Sequence, residues 1–287
     1  MSIGRRGFFK VLGVTGATLA IGRGLRAEPK KEEKTEFSAI LYDATRCIGC
    51  MSCELGCSAA HGLPDPVGMP EVGVVRKADE YHRMVINACK TSTGESYIKN
   101  QCMHCNEPAC AAACLTEALV KTKEGPVIWR EDKCMGCRFC MISCPFESPK
   151  FEYNSTNPKI EKCDMCASRQ KEGKLPACVE SCPAEALAFG SRRELIKVAQ
   201  KRIVENPELY VDHIFGEHEA GGTGYIYLSG VPIQELGYSA TLHKGSYPEL
   251  SKGFLYSVPS VDILWPAILL GIREATKSSK SNIEENE

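Results

Sequence analysis

The sequence predicts an α+β fold made of small cysteine-bound units in tandem, with an inserted β-hairpin region and a C-terminal extension. Three observations predict it. Sixteen of the 17 cysteines fall into four tight groups between residues 47 and 182, leaving Cys89 alone. Short β-branched runs flanking turn residues interrupt the groups. Beyond the last group comes one helical pattern and then a long stretch poor in regular signals. A chain of 287 residues is too long for one small cysteine-bound unit and suits one large or two small domains.

The cysteine groups come first because their spacing decides the chemistry. Group one is Cys47, Cys50, Cys53 and Cys57, spaced C-x2-C-x2-C-x3-C. Group two is Cys102, Cys105, Cys110 and Cys114, and group three is Cys134, Cys137, Cys140 and Cys144, followed by Pro145. Group four is Cys163, Cys166, Cys178 and Cys182, followed by Pro183. Disulfide scaffolds spread cysteines to cross-link distant chain, whereas these groups converge several thiolates on one point, as a metal centre requires. Structural zinc would pair two C-x2-C elements over a longer stretch or mix in histidine. No histidine sits at ligand spacing in any group, and His104 lies inside the Cys102–Cys105 loop, where it can hardly reach the same metal. A radical site would need three cysteines and an open iron, but every group has four.

The run in groups one and three is that of bacterial dicluster ferredoxins. Three cysteines on a loop hold three corners of a [4Fe–4S] cubane, and the fourth, at the start of a helical turn, reaches the neighbouring cluster. Groups two and three are joined by a hairpin-like stretch, Val120–Thr122 and Val127–Trp129 about Lys123-Glu124-Gly125. They therefore pair, and groups one and four pair across the chain. The expected ligand sets are Cys102, Cys105, Cys110 and Cys144; Cys134, Cys137, Cys140 and Cys114; Cys47, Cys50, Cys53 and Cys182; and Cys163, Cys166, Cys178 and Cys57. The expected cofactors are four [4Fe–4S] clusters, and the fold is one of tandem dicluster ferredoxin-like units.

Residues 1–27 read as an export signal: Arg5-Arg6, then Phe8-Phe9-Lys10, an apolar stretch from Val11 to Ile21, and a cleavage region near Ala27. The arginine pair marks the twin-arginine route, which carries folded proteins. Clusters inserted in a reducing cytoplasm would then reach an oxidising compartment with their thiols already engaged. Residues 28–36 are a charged linker, 37–190 the cluster domain, 191–252 a helix and loop-rich extension, and 253–287 an apolar segment with a charged tail. Within the cluster domain, 58–101 is an insertion. Its hairpin runs Met84–Cys89, turns at Thr93-Gly94-Glu95 and returns through Ser96–Lys99. Cys89 reads as a buried structural thiol. In the helix 191–205, Ser191 and Glu194 form a capping box, and Leu195, Ala199 and Ile203 share one face. Tyr225–Leu228 is a short strand, and His213 and His218 are surface or capping residues. The stretch 254–272 is nearly long enough to cross a bilayer, with Pro259, Asp262 and Pro266 against it and Arg273, Lys277 and Lys280 behind it.

With 35 Lys and Arg against 36 Asp and Glu, and no basic run with interleaved aromatics, the composition excludes nucleic acid as a partner. No nucleophile, general base or phosphate loop stands out, so the chain is expected to carry electrons without a catalytic site of its own. The cysteine pattern resembles the four-cluster electron-transfer subunits that accompany molybdopterin oxidoreductases and membrane-bound hydrogenases. Within them it looks most like the periplasmic HybA type, on Gln101-Cys102-Met103-His104-Cys105, Gly221–Leu228 with Gly230-Val231-Pro232, and the twin-arginine leader. That resemblance implies a catalytic partner, a nickel–iron hydrogenase first, and a quinone-reactive integral membrane subunit. It also implies a place on the periplasmic side of the cytoplasmic membrane. The sibling reading is a subunit of a molybdopterin oxidoreductase (polysulfide, DMSO or formate type) or of a quinone reductase complex.

Overall fold

The computed structural model describes residues 36–239 and 241–284. The export signal and nearly all of the linker lie outside the described residues. In chain order the elements are β1 (Ser38–Asp43), α1 (Ser52–His61), β2 (Met84–Thr91), β3 (Gly94–Gln101), α2 (Ala109–Ala112), β4 (Leu119–Lys121) and β5 (Val127–Trp129). They continue with α3 (Phe139–Ser143), β6 (Lys150–Phe151), β7 (Ile160–Glu161), α4 (Ala167–Lys171), α5 (Ala177–Glu180) and β8 (Leu187–Ser191). The last are α6 (Arg192–Glu205), β9 (Tyr225–Leu228) and α7 (Tyr247–Glu284). The fold is ferredoxin-like and α+β, with short helices and small sheets.

A three-stranded sheet in the order β8-β1-β9 organises the molecule. β1 runs antiparallel to β8 and parallel to β9. Because side chains alternate along a strand, this sheet sorts two cores. Ala39, Leu41, Ile226 and Leu228 face α6 and bury Leu195, Ala199 and Ile203. Ile40, Tyr42, Tyr225 and Tyr227 face the other way, into a core shared with Cys53, Cys57, Cys102, Cys163 and Cys178. β9 is thus part of the sheet that floors the cysteine core, so the stretch read as an extension begins inside the main body.

The α6 cap differs from the predicted box. The Ser191 hydroxyl accepts from the Glu194 amide at 3.5 Å, but the Glu194 carboxylate turns to Lys197. Glu36 takes its place, accepting from the Ser191 hydroxyl at 2.6 Å and the Arg193 amide at 2.8 Å. Those hydrogen bonds, led by Ser191, hold the Glu36 carboxyl below the usual range. The insertion hairpin also differs slightly. Thr91 already pairs with Gly94, so the turn falls on Ser92-Thr93, and both strands run longer than expected. The Thr91 hydroxyl closes that turn on the Gly94 carbonyl at 2.7 Å.

α7 begins well before the expected apolar segment and continues through both Pro259 and Pro266. The most apolar 18 residues within Tyr247–Glu274 have a mean hydropathy of 1.6, and none of them is buried. At 1.5 Å per residue, 28 residues reach roughly 40 Å, more than a bilayer's hydrocarbon core.

Candidate metal centres

Each cysteine group is built on the same local turn. The second residue between the first two cysteines takes a left-handed conformation in all four: Gly49, His104, Gly136 and Met165. Such a turn aims successive backbone amides into one concavity, a natural cradle for anionic sulfur. Gly49 is required twice over, since a Cβ there would meet the Tyr97 ring at 2.3 Å. Amides do reach sulfur: Ala118 N to Cys114 at 3.2 Å, Met165 N to Cys163 at 3.3 Å and Ser148 N to Cys144 at 3.5 Å.

The third and fourth cysteines of each group stand one helical turn apart. Cys53 and Cys57 lie within α1, while Cys110, Cys140 and Cys178 lie in α2, α3 and α5 with Cys114, Cys144 and Cys182 just beyond. This corrects the expectation that the fourth cysteine opens a helical turn; the turn starts at the third and ends at the fourth. An i, i+4 pair lies on one helix face with about 6 Å of rise between the two positions, so a single short helix can serve two adjacent centres.

Cys114, Cys134, Cys137 and Cys140 line one cavity of about 330 Å³ including its open mouth, together with Trp129, Leu119 and Ile160. Cys47, Cys50, Cys53 and Cys182 line a second of the same size, with Tyr42, Ile86 and Leu187. The other eight cysteines act on one another within two further sets. Burial raises the Cys105 thiol, and Cys102, Cys144 and Cys110 raise it further. Burial pushes Cys57 up to about 12, and Cys178 and Cys166 add to it. Thiols of neighbouring expected sets also act on one another electrostatically. Cys178 acts on Cys53, Cys102 on Cys163, and Cys140 on Cys110.

Burial also lifts Cys53 and Cys110 to about 12 and Cys140 to about 11. Thiols held so high are poor nucleophiles, and it takes a coordinated metal to make them thiolates. Four-sulfur donor sets in largely apolar walls fit iron–sulfur clusters. Cys89 belongs to no quartet. It is half-buried, and its thiol points to the Leu236 carbonyl at 3.7 Å.

Tertiary packing adds residues that the sequence reading did not single out. Lys99 is fully buried, with Nζ 3.2 Å from Gln101 Oε1 and 3.4 Å from the Tyr225 hydroxyl. Burial opposes its charge, but the thiolates of Cys178, Cys53, Cys163 and Cys57 outweigh burial and raise its pKa. Another is His61, on α1, which the fold brings beside the group-four cysteine Cys166. Its Nε2 lies 3.5 Å from both Cys166 Sγ and Asp164 Oδ1, while Arg83 donates to its Nδ1 at 2.9 Å. An arginine cannot accept, so the ring proton sits on Nε2. The available signal was its place one turn after Cys57. His104 is buried, and its Nδ1 accepts from the Val127 amide at 2.8 Å. His213 is exposed and pairs with Glu219 at 2.8 Å.

The glycine-rich stretch 221–224 closes over the group-two loop. The Gly224 amide donates to the Met103 carbonyl at 3.0 Å, and the Asn106 amide donates to the Gly222 carbonyl at 2.9 Å. A Cβ at Gly224 would meet the His104 carbonyl at 3.1 Å, so the two segments approach closely only with glycine there.

A 4Fe-4S dicluster domain model matches residues 94–192, which include groups two, three and four. The chain is 36% identical to the hydrogenase-2 operon protein HybA of Escherichia coli O157:H7 over 234 residues, 69% of this chain and 71% of that protein. It belongs to the 4Fe–4S ferredoxin family that serves hydrogenases and molybdopterin oxidoreductases. The same family accounts for 30% identity over 259 residues to the formate dehydrogenase iron-sulfur subunit of Haemophilus influenzae, 86% of this chain and 78% of that one. A protein of Nitratidesulfovibrio vulgaris is 40% identical over 284 residues, 95% of this chain and 77% of its own length. The chain is therefore an iron–sulfur electron-transfer subunit, and its cofactors are [4Fe–4S] clusters.

Proposed function

We propose that the chain relays electrons through four [4Fe–4S] clusters between a periplasmic nickel–iron hydrogenase and a quinone-reactive membrane subunit. The observation that carries this reading is the row of four cysteine quartets, which leaves a cysteine site near each end. When bound, the clusters supply one-electron transfer at potentials tuned by the surrounding charge and hydrogen bonds. The ligand sets are the four given by spacing: Cys47, Cys50, Cys53, Cys182; Cys57, Cys163, Cys166, Cys178; Cys102, Cys105, Cys110, Cys144; and Cys114, Cys134, Cys137, Cys140. The chain's own work is to hold each set rigid, exclude water from the inner two, and present the outer two to partners.

A hydrogenase is placed ahead of a molybdopterin enzyme because identity to the HybA protein exceeds that to the formate dehydrogenase subunit. Export by the twin-arginine route, with residues 1–27 as signal, sets the chain outside the cytoplasm. The exposed apolar helix α7 would bring it to the membrane. Truncation after Lys252 tests the arrangement. About 16 iron atoms per chain should remain, while membrane association and electron delivery to quinone are lost. A truncated protein that still fractionates with membranes and still reduces quinone would place the anchor elsewhere, and iron near half that value would refute four clusters.

A further inference from the structure

No carboxylate stands against Lys99 among the described residues. Among the described residues it forms no ion pair, and its ammonium meets one amide oxygen, one phenol and the Tyr225 ring at 4.8 Å. A buried ammonium without a paired charge is strongly disfavoured, so a compensating negative charge has to lie nearby. Hairpin β2-β3 brings Lys99 among the helices of groups one and four. Cys53, Cys57, Cys163 and Cys178 share one buried core with Tyr225, and the Lys99 ammonium lies 4.8 Å from that ring. Tyr225 bridges the gap, its hydroxyl 3.4 Å from Lys99 Nζ and 3.7 Å from Cys178 Sγ.

Two other interior lysines are satisfied differently. Lys121 donates to the His104 carbonyl at 2.9 Å, and Lys162 to the Cys163 carbonyl at 2.7 Å and to the Val127 carbonyl. Backbone carbonyls suffice for them, whereas Lys99 reaches none.

We propose that Lys99 is the resident cation of the paired sites built by groups one and four, and that its charge raises the reduction potential of the cluster held by Cys57, Cys163, Cys166 and Cys178. The inference rests on the four-cluster reading above. Reduction adds one negative charge to the site and changes nothing else in the charge balance. A fixed positive charge in a poorly polarisable interior therefore favours the reduced form. The quartet of Cys114, Cys134, Cys137 and Cys140 lies at the far end of the row and serves as an internal control.

The test is an anaerobic redox titration of the purified protein, followed by electron paramagnetic resonance, with iron determined on the same samples. Lys99→Met, Lys99→Gln and Lys99→Arg are compared with the wild type, and the signal is assigned by its perturbation in Cys57→Ser. The neutral variants should make reduction of that cluster at least tenfold less favourable, about 59 mV lower for a one-electron couple. Lys99→Arg should stay near the wild-type value, and the control cluster should not move. Unchanged midpoints in iron-replete neutral variants overturn the proposal, as does an equal shift of all clusters. If the neutral variants lose iron while Lys99→Arg keeps it, the charge is needed even to retain the cluster, which supports the proposal. Loss of iron from Lys99→Arg as well makes the lysine a packing residue and overturns it. Wild-type iron near eight atoms, instead of about 16, would fail the four-cluster reading before any variant is compared.

Discussion

Arg76→Ala should loosen the first cysteine helix without removing any thiol. Glu54 lies in α1 between Cys53 and Cys57 and is 2% exposed. Arg76 grips it with both guanidinium nitrogens, at 2.8 and 2.7 Å, and the Ile86 amide donates to the same carboxylate at 2.6 Å. Three donors thus tie the insertion to the helix that bears two ligands. Removing the arginine leaves a buried carboxylate with one amide. Breaking a buried pair in this way costs about 3–5 kcal/mol, and the partial exposure of Arg76 argues for the lower figure. At about 1.4 kcal/mol per decade, 3 kcal/mol is roughly a hundredfold. The assay is the rate at which visible iron–sulfur absorbance bleaches in guanidinium under anaerobic conditions. Arg76→Ala should bleach up to that much faster. Glu54→Leu with Arg76→Met should lie much nearer the wild type, because no charge is stranded. A wild-type rate for Arg76→Ala, or a double variant as fast as the sum of the singles, would refute this account of how the insertion is anchored.

Two further outcomes are expected. Cys57→Ser should perturb the cluster proposed for Cys163, Cys166 and Cys178 and spare the one proposed for Cys47, Cys50 and Cys53; magnetic spectra showing the reverse would break the cross-pairing. Arg5→Lys with Arg6→Lys should leave a folded, cluster-bearing protein in the cytoplasm, and undiminished export by cell fractionation would rule out the twin-arginine route.

What could be read from the sequence was local. Cysteine spacing, the hairpin about Lys123–Gly125 and the buried face of α6 each depend on residues a few positions apart, where helix and strand periods act directly. The central sheet could not be read this way. β1 pairs with β8 and β9, which lie about 150 and 185 residues downstream, and nothing in Tyr225–Leu228 names its partner. Placing that strand inside the sheet is what turned an apparent extension into the floor of the cysteine core. Glu36 as the cap partner of α6 was hidden for the same reason, since Glu194 stood at the expected position. Lys99 and His61 were hidden by chemistry as well. A lysine between Ile98 and Asn100 looks like a solvent-facing strand residue until the hairpin is folded onto thiolates. A histidine after two alanines on a short helix looks like a surface residue until Arg83 fixes its tautomer.

The row of quartets also implies a division of labour among the ends. Within the proposed arrangement the inner two sites carry the most deeply buried thiols, Cys178, Cys57 and Cys163 among them. Lys99 and the lysines about His104 lie there too. The outer sites differ in kind. Cys137 is exposed, and Met135 and Phe139 on either side of it are exposed as well. At the other end Ile48, between Cys47 and Cys50, is 61% exposed. Electron exchange with a partner needs close approach at the termini and shielding between them. Exposed apolar side chains around a terminal site supply area that a docking protein can cover, at roughly 25 cal/mol per Å². Placing cations at the inner sites and apolar side chains at the outer ones separates two tasks, holding electrons in the chain and handing them over. A substitution that alters docking can therefore leave the inner potentials untouched, and one that shifts an inner potential can leave docking intact.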